Sequence, residues 1–171
     1  MNEKKSISIE KLEYPDELEK LLNVPEIIDV LEKEFDLFLE KEKGEAETKE
    51  NPELRLLRLI KLFIYKNRER VSNLTKGSSL QGFDCLTLAI ITCLLANRKG
   101  YKLKIGRPDK ILRYFHAVVI EGNGKMFQIA GRNVTYKNIK TLSAKEVSIR
   151  LKATKPLVNM ANSIRGIKTY S

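Results

Sequence analysis

The sequence predicts an α+β fold: a block of helices, then one wholly apolar helix, then an antiparallel sheet. Three observations carry this. Apolar residues recur at i, i+3 and i+4 over residues 15–71. Residues 86–96 are apolar nearly all round. From Tyr101 the pattern changes to short alternating or β-branched runs, two of them joined by Asn123-Gly124. A chain of 171 residues, 42% of them hydrophobic, is long enough to bury a core.

The elements follow in order. The start, "SISIEKLEY", is strand-capable, and Pro15 with Asp16 then opens a helix whose Leu18, Leu21 and Leu22 share a face. Pro25 interrupts it. A second helix carries Ile27, Ile28, Leu31, Phe35 and Phe38 inward and stops at Gly44. Residues 44–52 have no apolar period and read as a linker. Pro52 sits in the first turn of a third helix running to about Val71, with Leu56, Leu57, Ile60, Phe63 and Ile64 inward. "NLTKGSSLQG" reads as a loop. The apolar helix runs from about Asp84 to Arg98, with Gly100 past its end. "YKLKIG", "YFHAVVIEG" and "KMFQIAG" are the strands, with the Asn-Gly pair as a hairpin turn. "NVTYKNI" is a candidate fourth strand, 143–152 a short helix, and the tail is basic. We divide the chain into an acidic helical arm, 1–50, and a core domain, 51–171.

Charge supports that division. Residues 1–54 hold 8 Lys/Arg and 17 Asp/Glu, and the rest of the chain 24 and 5. The first reading is that the acidic arm folds back on the basic body. The second is that the body meets an anionic partner such as nucleic acid, with Arg55, Arg58, Lys61, Arg68 and Arg70 facing outward along phosphates. The split also allows the arm to lie over a functional site as a lid. No zinc-finger spacing, RNA-recognition aromatic motif or helix-turn-helix is present. No apolar window reaches membrane-spanning length, and the N-terminus does not read as a secretory signal. Cys85 and Cys93 lie about 12 Å apart along one helix, too far to bridge, which suits reduced thiols and the cytoplasm. One histidine and two such cysteines make no zinc site, so no metal or other cofactor is expected.

The chemistry-bearing residues are Cys85, placed in the first turn of the apolar helix, and His116, the single histidine, at the head of a strand. A thiol is a nucleophile as thiolate, and a helix N-terminus favours that form. First-turn amides can also supply a donor to an oxyanion hole. A neighbouring imidazole can take the thiol proton and later protonate a leaving group. Asp84 suits the helix N-cap. Cys93, deep in the same helix, reads as packing.

Gly82, Asp84, Cys85, Ala89, Leu94, Leu95, Gly100, His116 and Ala117, with 31 positions from cysteine to histidine, resemble the transglutaminase-like superfamily of the papain-like cysteine peptidase clan. The resemblance covers about residues 75–135. It implies a papain-like core, a Cys-His pair and no cofactor. The superfamily's third member is an Asp on the strand after the hairpin, and "MFQIAGRN" has no acid there. Gln128 or Asn133 is left to orient His116, expected through the Nδ1–H. Gln81 is an oxyanion candidate, as an upstream Gln is in papain-like enzymes. "HAVVIEGNGKMFQ" is also similar to the bacterial cell-wall endopeptidases of the same clan, with Gln128 twelve positions after His116. The implied function is a cysteine-dependent amide-bond hydrolase or acyl-transferase acting on a protein or peptide. The alternative is an inactive relative that binds or scaffolds, and a further alternative is a nucleic-acid binder.

Overall fold

The structure is a computed structural model and describes residues 12–42, 50–80, 84–108, 116–130, 136 and 138–153. Helices α1 (Tyr14–Leu22), α2 (Pro25–Lys41), α3 (Pro52–Lys66), α4 (Arg68–Thr75) and α5 (Cys85–Arg98) come first. Strands β1 (Lys104–Pro108), β2 (Val118–Ile120), β3 (Met126–Phe127) and β4 (Ile139–Thr141) follow, then a helix α6 over 144–153. The architecture is α+β, with one sheet of order β3-β2-β1-β4 whose neighbours are all antiparallel.

The proline and Asn-Gly signals act as read, and two asparagines add to them. Pro15 and Pro25 stand in the first turns of α1 and α2, and Asn23 between them takes a left-handed φ of 53°. Asn51 caps α3 by accepting from the Glu53 amide at 2.8 Å. The third helix is shorter than its period suggests: the chain breaks at Asn67, and α4 continues through Thr75, where a loop was expected. Asn67 is the C-cap of α3 at φ −114° and ψ 30°, and its main-chain N–H and its side-chain amide both donate to the Phe63 carbonyl, at 3.0 and 2.9 Å. The Asn-Gly signal holds, with Gly124 at φ 82° closing a hairpin in which Glu121 N–H donates to Lys125 O at 2.8 Å. The first strand lies at 104–108, later than "YKLKIG" suggested. Of the strand-capable start only residues 12–14 are described, and Tyr14 there already opens α1; most of "NVTYKNI" falls outside the described residues, and its last residue, Ile139, opens β4.

Helix α5 is the centre. Every residue from Leu86 to Ala96 is buried, and α1, α2, α3 and two strands pack around it. The arm helices belong to the same hydrophobic cluster: Leu18, Leu22, Val24, Ile28, Leu31 and Phe35 join Leu57, Ile60 and Phe63 of α3. The Phe35 and Phe63 rings meet at 5.3 Å between centroids.

The acidic arm folds back on basic residues of the body. Arg98 takes Glu19 at 2.6 Å and Asp29 at 2.7 Å, Lys99 pairs with Asp36, and Lys102 takes Glu13 at 3.1 Å. Those cations lie at or past the C-terminal end of α5, where they also complement the helix dipole. They stand about 20 Å of helix from Cys85. The described part of the arm is therefore a layer of the core at the far end of α5, and its ion pairs do not form a lid over the cysteine.

Candidate active site

Asp84 ends the preceding segment in extended conformation, φ −98° and ψ 169°, and its Oδ1 accepts from the Thr87 amide at 2.7 Å. The N-cap expectation is met. Cys85 is thereby the first residue of α5, half-buried, with its thiol at the mouth of the helix.

Strand β2 packs on α5 and brings the His116–Ala117 dipeptide to this end. The Ala117 amide donates to the Cys85 sulfur, so the residue next to His116 touches the candidate nucleophile. His116 Nε2 lies 3.2 Å from Gln128 Oε1. The contact uses Nε2, where Nδ1 was expected. With the proton on Nε2, the amide oxygen accepts it and Nδ1 is left as the base. The Tyr136 ring stands 6.0 Å from the imidazole at 50°.

Gln128 is almost buried, just past β3, and its main chain is held from α3. Lys61 Nζ donates to the Gln128 carbonyl at 3.0 Å, and Tyr65 Oη donates to the Ile129 carbonyl at 2.9 Å. Lys61 and Tyr65 are four apart and so lie on one face of the helix. Lys61 Nζ also stands 6.0 Å from the Phe127 ring centroid. From sequence Lys61 was read only as a phosphate-facing cation, and neither Tyr65 nor Tyr136 was singled out. A Lys and a Tyr at helical spacing beside an apolar face was the available signal.

The electrostatics differ from the helix-dipole expectation. Burial pushes the Cys85 thiol above its ordinary range; the Ala117 amide pulls it back, and the Asp84 carboxylate pushes it up again. Desolvation outweighs the helix N-terminus, and the resting group is a thiol. Cys93 behaves as packing: it is fully buried, donates to the Leu103 carbonyl at 3.3 Å, and its thiol is pushed up to about 12.

Gln81, Gly82 and Asn133 lie outside the described residues. Among the described residues no cluster of three or more His, Cys, Asp or Glu could hold a metal ion, and no helix is long and apolar enough to cross a membrane. The α3–α4 cations expected to face phosphates are in part engaged: Arg58 pairs with Glu50 at 2.6 Å, Arg70 with Glu34 at 2.8 Å, and Lys61 with the Gln128 carbonyl. Comparison with family models, curated proteins and solved structures finds no match to this chain.

Proposed function

We propose that the chain is a cysteine-dependent amide-bond hydrolase or acyl-transferase with a papain-like, transglutaminase-like core, using Cys85, His116 and Gln128. The observation that carries the reading is the side-chain pair His116–Gln128 at 3.2 Å, adjoining a helix-first cysteine through the Ala117 amide. Sequence spacing alone suggested the pair; the hydrogen bond to Gln128 supplies the orienting third group that a working Cys-His couple needs.

In this reading His116 Nδ1 takes the Cys85 proton as the sulfur attacks the carbonyl carbon of a protein or peptide amide. The C–N bond then breaks, with the proton passing from His116 to the departing amine, and a thioester remains on Cys85. Water or a second amine, deprotonated by His116, attacks the thioester and restores the thiol. Gln128 holds the ring but carries no charge. It therefore stabilises an imidazolium less than a carboxylate would, in keeping with the resting thiol at Cys85. Neither metal nor other cofactor enters these steps. Both cysteines are free, and we place the chain in a reducing compartment, the cytoplasm.

One observation favours the inactive, binding relative instead: the upward push on the Cys85 thiol. An acylation experiment separates the two. On incubation with p-nitrophenyl acetate, an enzyme forms an acetyl thioester mapped to Cys85 by peptide mass and labile to hydroxylamine. His116→Ala slows its formation about 100-fold or more. An equal rate in His116→Ala, or acetyl groups found only on lysines, overturns the enzyme reading.

A further inference from the structure

Arg58, Lys66, Arg70, Arg98, Lys99 and Lys102 each meet a carboxylate of the segment from Glu13 to Glu50. On the sheet, Arg107 and Lys140 make no ion pair among the described residues. They nevertheless stand directly opposite one another on β1 and β4. Like charges so placed repel and destabilise the strand pair.

Strand alternation fixes their side. Ile105 and Leu142, two residues away on each strand, are buried in the cluster around α5, so Arg107 and Lys140 leave the sheet on that same face. Ala117 shares it with buried Val119. One register step beyond the Gly106–Val118 pair sets Ala117 beside Arg107. A single row, Ala117 then Arg107 then Lys140, thus crosses three strands, buried at Ala117 and exposed at Lys140. Its buried end is the residue whose amide meets the Cys85 sulfur. At about 5 Å between strands, the row reaches about 10 Å from Ala117.

Guarding of a sheet edge accounts for Lys140, because β4 is an outer strand. It does not account for Arg107, which lies on an inner strand. An arginine left half-buried and paired with no acid among the described residues, next to a second cation and one strand from the thiol, is a site for an anion supplied from outside.

We propose that Arg107 and Lys140 form a carboxylate-binding subsite beside Cys85, so that the substrate is an acidic peptide carrying a carboxylate within about three residues of the scissile amide. The choice of scissile bond rests on the Cys85 chemistry proposed above; the subsite itself is read independently of it.

The test compares alkylation of Cys85 by iodoacetate and by neutral iodoacetamide at one pH and low salt, followed by peptide mapping. The rate ratio cancels the thiolate fraction and reports the local field. In Arg107→Gln and in the exposed Lys140→Gln the iodoacetate-to-iodoacetamide ratio falls about threefold or more, and the melting temperature does not fall, since each variant relieves the repulsion across β1 and β4. N-acetylated triglutamate slows wild-type labelling at concentrations where inorganic phosphate and a short DNA duplex do not. An unchanged ratio in both variants overturns the subsite. Protection by phosphate or DNA but not by triglutamate overturns the acidic-peptide assignment. Should His116→Ala leave the iodoacetamide rate untouched while the ratio still falls in Arg107→Gln, the enzyme reading fails and the anion subsite stands.

Discussion

Deleting residues 1–42 is expected to unfold the whole chain. Leu18, Leu22, Val24, Ile28, Leu31 and Phe35 are each no more than 5% exposed, and all sit in the cluster that surrounds α5. Burying one such side chain contributes about 1.5–3 kcal/mol, so the six together supply on the order of 10 kcal/mol. That equals the net stability of an ordinary domain, about 5–15 kcal/mol. Deletion would also bare Leu57, Ile60 and Phe63 and leave Arg98 and Lys99 without their acids. The measurement is circular dichroism with thermal melting: the truncated chain lacks a cooperative transition. A milder variant tests the same packing, Phe35→Ala costing about 3–5 kcal/mol. A truncated chain that melts cooperatively would mean that 43–171 folds without the arm helices.

Gln128→Glu is expected to raise the neutral-pH reactivity of Cys85 about tenfold or more. In the wild type an uncharged amide faces His116 Nε2 at 3.2 Å. A carboxylate in its place adds an opposite charge within a few ångströms, worth about one to three pH units in favour of the charged ring. The imidazolium–thiolate pair then competes with the neutral pair, and more thiolate is present at pH 7. Iodoacetamide labelling at pH 7, mapped to Cys85, reads this directly. Gln128→Leu removes the acceptor and slows the same labelling; Gln128→Glu slower than the wild type would contradict the role given to Gln128.

Much of this fold was legible because its signals are local. Pro15, Pro25, Pro52, Asp84 and the Asn123-Gly124 pair each act within a few residues, and the apolar run of α5 declares a buried helix by composition alone. The break at Asn67 was not legible, because the apolar period continues across it and the stop lies in the Asn67 backbone, φ −114° and ψ 30°, and in its bonds to the Phe63 carbonyl. The strand boundary at Lys104 depends on pairing with β2 and β4, which no local pattern encodes.

The site divides the same way. Cys85 and His116 stood out by residue type and spacing, and Gln128 by its distance from His116 along a hairpin. The nitrogen that Gln128 takes was not readable, since it depends on the ring's orientation in space. Lys61 and Tyr65 were hidden for a different reason: their partners are main-chain carbonyls 67 and 64 residues away, and carbonyls leave no mark in a sequence. The direction of the Cys85 shift was misjudged from sequence because the helix N-terminus is visible there and burial is not.

The most direct test of the Cys85–His116 couple is the rate of Cys85 alkylation by iodoacetamide from pH 5 to 11 in the wild type and in His116→Ala. Because burial pushes the thiol above its ordinary range, free thiolate is scarce at pH 7, and the alkaline limb should lie above that of an exposed thiol in both proteins. The wild type should carry in addition a neutral-pH limb, from proton transfer to His116, that falls about tenfold or more in His116→Ala while the alkaline limb stays. A single alkaline titration, identical in the two proteins, would make Cys85 a packed thiol and contradict the account.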